Sequence, residues 1–264
     1  MRIIHINTID DEALAPYARL TEAQLLNRLH PEEGLFICEI MKVIRVALER
    51  GMQPVSFLCE DKFIDTLPDV DMPVYTAPRE VLKSLTGYEL SRGVLCCMRR
   101  PKLPSVAEVL HGARRVAVID SVVNSENTGA IFRAAASLGI DAVLLTRTCC
   151  DPLNRRACRV SMGTVFQLPW TFLENYMQLK DNGFSTVALA LTDRSVPIDA
   201  PELKHLERMA IVMGTEGDGL NDSVLRQADY VARIPMHRGV DSLNVAAAAA
   251  VAFWELGKPP AAQV

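Results

Sequence analysis

Met209-Ala210-Ile211-Val212-Met213-Gly214-Thr215-Glu216-Gly217-Asp218-Gly219-Leu220 is the stretch on which the fold turns. The unbroken apolar run Met209–Met213 reads as a strand buried on both faces, the kind found in parallel sheets. Glycines crowd in directly behind it, so the strand runs into a loop whose backbone is open to a ligand or held at positive φ. Outward from here the same alternation continues. Val116–Ile119 reads as a strand, 128–138 as a helix, Ala142–Leu145 as a strand and 154–160 as a helix. A strand over 165–168, a helix over 172–180 and a strand over 186–190 complete the series. Strands alternating with helices predict an α/β fold with a mostly parallel sheet covered on both faces. Ligands in such sheets bind at the carboxyl ends of the strands, and Glu216 stands at one of them. The glycine spacing is neither G-x-G-x-x-G nor G-x-x-x-x-G-K-[ST], which speaks against a dinucleotide site or a phosphate loop.

Upstream, residues 1–30 read as a helical extension, with Leu20, Leu25, Leu26 and Leu29 near helical spacing. Residues 31–98 form a smaller α/β unit: strands at 35–38, 54–58, 73–75 and 93–98, and helices at 41–50 and 79–85. Arg99-Arg100-Pro101-Lys102-Leu103-Pro104-Ser105 interrupts the pattern with two prolines and three positive charges, which places a linker over 99–113. The larger domain then spans 114–264.

With 49% hydrophobic and 23% charged residues, the chain has ample material for a core and the balance of a soluble protein. No apolar run reaches the ~18 residues of a membrane span, and the N-terminus turns acidic too early for a secretory signal. Seven cysteines without a C-x-x-C pair suggest neither a zinc site nor a disulfide framework, so a cytoplasmic protein with reduced thiols and no metal is expected. A net charge of −4 argues against wholesale coating of nucleic acid but leaves room for local basic patches. Such patches stand at Arg99, Arg100 and Lys102, at Arg114-Arg115, and at Arg147 with Arg155, Arg156 and Arg159.

Two further segments carry polar groups in suggestive places. In Asn124-Ser125-Glu126-Asn127-Thr128-Gly129-Ala130-Ile131-Phe132-Arg133, Asn127 is a candidate N-cap. Arg133 lies within an apolar run, where a lone charge is costly unless it has a partner. Near the C-terminus, Ile234-Pro235-Met236 precedes Asp241-Ser242-Leu243-Asn244-Val245 and the alanines Ala246 to Ala250. Alanine favours helix, Asp241 or Ser242 is a suitable cap, and the small side chains allow close approach.

Taken together, these segments resemble the SpoU (TrmH-like) family of RNA ribose methyltransferases in the α/β-knot, or SPOUT, superfamily. N-x-G-x-x-x-R stands here as Asn127, Gly129 and Arg133, and G-x-E-x-x-G-L as Gly214, Glu216, Gly219 and Leu220. I-P-M followed by S-L-N-V stands as Ile234–Met236 and Ser242–Val245. The 31–98 unit resembles, less specifically, the family's small ribosomal-protein-like RNA-binding domain, although Arg92 stands where many relatives have glutamine. The resemblance implies a trefoil knot in the C-terminal domain, a homodimer through that domain, and S-adenosylmethionine as cofactor. By the same matching Met213, Gly214, Gly219, Ile234, Met236 and Leu243 would hold the cofactor. Arg133, Asn127, Glu216, Ser242 and Asn244 would form the catalytic set, with Arg147, Arg155, Arg156 and Arg159 at the entrance for a tRNA or rRNA. Two alternatives remain open at this level: a non-catalytic RNA-binding or ribosome-assembly protein with this fold, and a knot enzyme that methylates bases.

Overall fold

The computed structural model describes residues 1–6, 12–86, 93–215 and 219–257. By contact the chain divides into one unit of Met1–Lys102 with Leu153–Phe166, and a second of Leu103–Pro152 with Gln167–Val264.

The first unit is built on β1 (Arg2–His5), α1 (Ala15–Ala18), α2 (Glu22–Leu26), β2 (Leu35–Glu39), α3 (Met41–Glu49), β3 (Pro54–Cys59), β4 (Pro73–Thr76), α4 (Arg79–Thr86) and β5 (Val94–Arg99). Its strands form one mixed sheet in the order β1-β4-β3-β5-β2. The pairs β1–β4 and β3–β4 are parallel, and β5 is antiparallel to both β3 and β2. The expected helical extension over 1–30 is corrected here. Arg2–His5 is an edge strand of the sheet, and Leu14, Tyr17 and Leu25 are buried in the unit's own core. Of the four leucines whose spacing suggested one helix, Leu25 and Leu26 lie in α2, while Leu20 and Leu29 fall outside both helices. Tyr17 hydroxyl donates to Ser56 O at 2.8 Å and accepts from Cys97 N at 3.2 Å, where the β3–β5 register shifts. Burial pushes the Cys97 thiol up to about 12 and the Tyr17 phenol well above its usual range, so both stay protonated at neutral pH.

The second half of the chain continues with α5 (Val106–Leu110), β6 (Arg115–Ile119), α6 (Ser125–Ser137), β7 (Ala142–Leu145), α7 (Arg155–Val160), β8 (Trp170–Phe172), α8 (Met177–Asp181), β9 (Ser185–Leu189), β10 (Val196–Pro197), α9 (Pro201–Lys204), β11 (Met209–Met213), α10 (Asp222–Gln227), β12 (Tyr230–Arg233) and α11 (Val245–Leu256). The second unit's sheet has the order β10-β12-β9-β11-β6-β7-β8, and each of its strand pairs is parallel. Complete burial of β7 and β11, and of β6 beyond Arg115, explains why these runs are continuously apolar rather than alternating.

Several expected elements are corrected. Thr164–Phe166 is a 3-10 turn, and the strand lies later, at Trp170–Phe172 in register with Val143–Leu145. The preceding helix stops at Val160 with Ser161 as its C-cap, and the left-handed Met162 and Gly163, at φ +54° and +86°, then turn the chain into the 3-10 turn. The helix expected over 172–180 is confined to Met177–Asp181, because the start of that range is taken up by β8. The segment expected as a linker contains α5, with a capping box between Ser105 and Glu108 and with Val109 and Leu110 buried. Finally, α7 packs on β2 and belongs by contact to the first unit, although in sequence it falls within the second half.

Candidate active site

Three loops meet at the carboxyl ends of β9, β11 and β12, on the side where a parallel sheet presents ligands. They enclose a cavity of about 860 Å³ within the second unit. Leu189 to Thr192 wall it from β9, Met213 to Thr215 with Gly219 and Leu220 from β11, and Ala232 to Met236 from β12. Val240 to Leu243, Val245 and Ala248 close it from the segment leading into α11. Aliphatic side chains dominate this lining, and Asp222, Arg233 and Asp241 supply its charges. Each of Met213, Gly214, Gly219, Ile234, Met236 and Leu243 therefore lies on one cavity wall.

The glycines of the β11 loop have separate reasons. A Cβ on Gly214 would come within 2.6 Å of Gly219 O and 2.8 Å of Leu220 N, both backbone atoms that cannot swing away. Thr215 and Gly219 pair across this return, and Gly219 holds φ +67° with open space around it. The first glycine is thus needed for close approach and the second for backbone conformation. Glu216 lies outside the described residues.

The capping expectations are corrected on both helices. Asn124, not Asn127, caps α6, accepting from Glu126 N at 2.8 Å. Asn244, not Asp241 or Ser242, caps α11, accepting from Ala246 N at 3.0 Å. Asn127 is thereby left inside the first turn of α6, where its Oδ1 accepts from Asn244 Nδ2 at 3.1 Å. This bond spans 117 residues and joins the two sequence motifs at the starts of α6 and α11. Ser242 is exposed beside Leu243 and lines the cavity.

Arg133 departs from expectation. It is exposed on α6, so the apolar run around it does not bury the charge, and it stands outside the cavity lining. The apolar neighbours face inward: Ile131, Phe132 and Ala135 are buried while position 133 points away. Six residues along a helix turn the side chain through about 240°, so Arg133 and Asn127 project differently.

The arginines set aside for RNA fall into separate units. Arg147, in the second, forms a 2.6 Å ion pair with Glu174 and lies 4.9 Å from the centre of the Phe172 ring. Arg155, Arg156 and Arg159 lie on α7 in the first, where Arg159 is 3.6 Å from Glu39. The Arg114-Arg115 pair is not a surface patch. Arg115 is 1% exposed and donates to the carbonyls of Leu256, Glu207, Leu206 and Arg114 at 2.8, 2.8, 2.9 and 3.1 Å.

Two polar features had no signal in the sequence. Beyond β6, Asp120 accepts from Tyr176 hydroxyl at 2.7 Å, Ser121 Oγ at 2.8 Å and Thr146 Oγ1 at 3.1 Å. Burial, followed by the hydrogen bond and charge of Asp120, pushes the Tyr176 phenol far above its usual range, so it remains a donor. Thr192, on the cavity wall, has a buried hydroxyl oxygen with no hydrogen-bond partner among the described residues. Among these residues no cluster of His, Cys, Asp and Glu could hold a metal ion, and no helix is long and apolar enough to cross a membrane.

The sequence model of the SpoU rRNA Methylase family matches residues 114–254. An uncharacterized tRNA/rRNA methyltransferase of Mycobacterium tuberculosis is 40% identical over 258 residues, 93% of this chain and 88% of that protein. The 23S rRNA (guanosine(2553)-2'-O)-methyltransferase RlmP of Bacillus subtilis is 30% identical over 190 residues, 68% of this chain and 75% of that protein. In fold, the chain resembles the AdoMet-bound rRNA methyltransferase of Sinorhizobium meliloti, with a TM-score of 0.80 at 21% identity over 96% of this chain and 97% of that one.

Proposed function

The chain belongs to the SpoU rRNA Methylase family, and from that membership we propose that it transfers a methyl group from S-adenosylmethionine to a ribose 2′-oxygen of ribosomal or transfer RNA. The observation that carries the reading is the single cavity into which the β11 glycine loop, the segment after β12 and the approach to α11 all contribute. Its size falls within the ~300–1,000 Å³ of small-molecule sites, and its aliphatic walls suit a flat base. A backbone kept bare at Gly214 is a further mark of a site shaped for a closely held ligand. S-adenosylmethionine, when bound, supplies an electrophilic methyl group on its sulfonium. Met213, Gly214, Gly219, Ile234, Met236 and Leu243 would hold it, largely through apolar contact and backbone groups.

The ribose hydroxyl is a weak nucleophile until its proton is drawn off. Arg133 is a poor base, because a guanidinium holds its proton to pH values above ~12. Its exposure suits another task, gripping a phosphate that arrives from solvent and stabilising charge developing on the attacking oxygen. The Asn127–Asn244 bond joins the starts of α6 and α11, so that Asn127, Asn244 and Ser242 can position the sugar, a task in which the family motif includes Glu216.

We read the first unit as the part that selects a structured RNA, with Arg155, Arg156 and Arg159 of α7 among its contacts and Arg147 contributing from the second. The insertion of β11 between β9 and β6, with α11 returning to pack on α6, supports a trefoil crossing of the C-terminal segment. Exposed Val251 and Trp254 on α11 support a homodimer through this unit. An RNA substrate supports reading the protein as cytoplasmic.

Ribose-methylation mapping of total RNA from cells with and without the protein tests the activity, with loss of a single site expected. In purified protein, Arg133→Ala should abolish transfer while leaving cofactor affinity within a few-fold. Retained transfer would remove Arg133 from the mechanism. If calorimetry detects no binding of S-adenosylmethionine to the native protein, the non-catalytic adaptor reading takes its place.

A further inference from the structure

Strand β6 ends at Ile119, in register with Met213 of β11, and the next residue, Asp120, donates its N–H to Met213 O at 2.8 Å. Asp120 therefore stands beside the strand end that opens into the Gly214 loop. Its carboxylate is held by hydroxyls that follow the neighbouring strands β6, β7 and β8. Ser121 Oγ and Thr146 Oγ1 donate to Oδ1 at 2.8 and 3.1 Å, and the Tyr176 hydroxyl donates to Oδ2 at 2.7 Å.

Ser121 takes φ +58°, a left-handed conformation that is costly for a residue with a Cβ. Glycine would adopt it freely, but only a hydroxyl can bond both Asp120 and, at 2.8 Å, Thr148 Oγ1. The backbone around it is pinned as well: Ser121 N donates to Thr146 Oγ1 at 3.0 Å, and Cys150 N to Val122 O at 2.9 Å. Strain of this kind persists only where surrounding bonds over-determine the backbone. The pinned loop runs straight into α6. Its last residue, Asn124, accepts from Asn127 N at 3.3 Å, and Asn127 in turn meets Asn244. The bonds around Asp120 and Ser121 thus fix the stretch of chain that delivers Asn127 and, on the same helix, Arg133.

The geometry points to Asp120 as a positioning residue for methyl transfer: gripped by Tyr176, it holds the 121–124 loop so that the start of α6 meets the RNA in one fixed geometry. The assignment rests on the methyltransferase reading above. The test compares native protein, Tyr176→Phe, Asp120→Asn and the double variant, using tritiated S-adenosylmethionine and total RNA from cells that lack the protein. Tyr176→Phe keeps the ring and removes only the hydroxyl that grips Asp120. Its kcat should fall about tenfold, while KM for RNA and affinity for S-adenosylhomocysteine stay within about twofold, because a small misplacement slows the chemical step without weakening binding. Asp120→Asn should lower kcat at least as much. The double variant should fall no further than Asp120→Asn alone, as expected of groups that act as a unit. Unchanged kcat in Tyr176→Phe, whether or not its melting temperature drops, would reduce the network to structural support and overturn the proposal. Losses that multiply in the double variant overturn it too, because Tyr176 would then act by another route. Cofactor affinity that falls together with kcat places the effect at the Gly214 wall and is equally fatal. Native protein that transfers no methyl group to this RNA refutes the methyltransferase reading instead.

Discussion

Arg115 and Asn244 occupy opposite positions with respect to what neighbouring residues reveal. Beside Arg114, the first looks like half of a basic patch, yet its guanidinium is buried against four carbonyls, three of them from 206–207 and 256. Burial, then the charge of Arg114, lowers its pKa, and Asp141 acts in the opposite direction. It ties the end of α11 to the strand that begins the sheet. Arg115→Met should remove several charge-assisted bonds and strand buried acceptors, costing about 3 kcal/mol and lowering the melting temperature by about 10 °C. Calorimetric unfolding checks this, and a loss below about 1 kcal/mol would mean that water reaches those carbonyls. Arg115→Lys should not restore stability, because a point charge cannot span the same fork of acceptors. Asn244 was legible as a polar group near a helix start, but not as the cap. Only the fold shows that one amide serves both α11 and Asn127.

At the scale of elements, the β11 loop translates sequence into function most directly. Its glycines were visible, and so was their place at a strand's carboxyl end. Their division of labour was not, because Gly214 is restricted by backbone atoms of residues 219 and 220 that come close only once the loop has folded back. Gly214→Ala should therefore displace the loop and weaken cofactor binding by more than about tenfold, whereas Gly219→Asn should cost much less, since asparagine tolerates a left-handed conformation. Titration of both variants with S-adenosylhomocysteine tests the order, and equal losses would show that conformation rather than close approach governs the loop. Helix positions were read well where a glycine stops the run, as at Met41–Glu49 before Gly51. The strand expected over 165–168 was misplaced because a short apolar run looks alike in a strand and in a 3-10 turn.

For the molecule as a whole, α11 is apolar on more sides than one chain can cover. Ala249, Ala252, Phe253 and Leu256 are buried, while Val251 is 40% and Trp254 61% exposed. A helix of this kind is at home inside a larger core, and a second copy would provide one. Light scattering at micromolar concentration should report a dimer, and Trp254→Asp should shift it to monomer without loss of helix. A native monomer would refute the dimer reading. Legible in the residues themselves were the alternating architecture, the family and the strand end that carries the glycine loop. Those follow from local runs of apolar residues, glycines and caps whose physical consequences reach only a few residues. Only packing showed that Arg115 is interior, that Arg133 is exposed, that residues 153–166 pack with the first unit, and that Asn127 and Asn244 meet. Each of these depends on contacts between residues far apart in the chain. Burial and hydrogen-bond satisfaction belong to the packed molecule, and no short segment carries them.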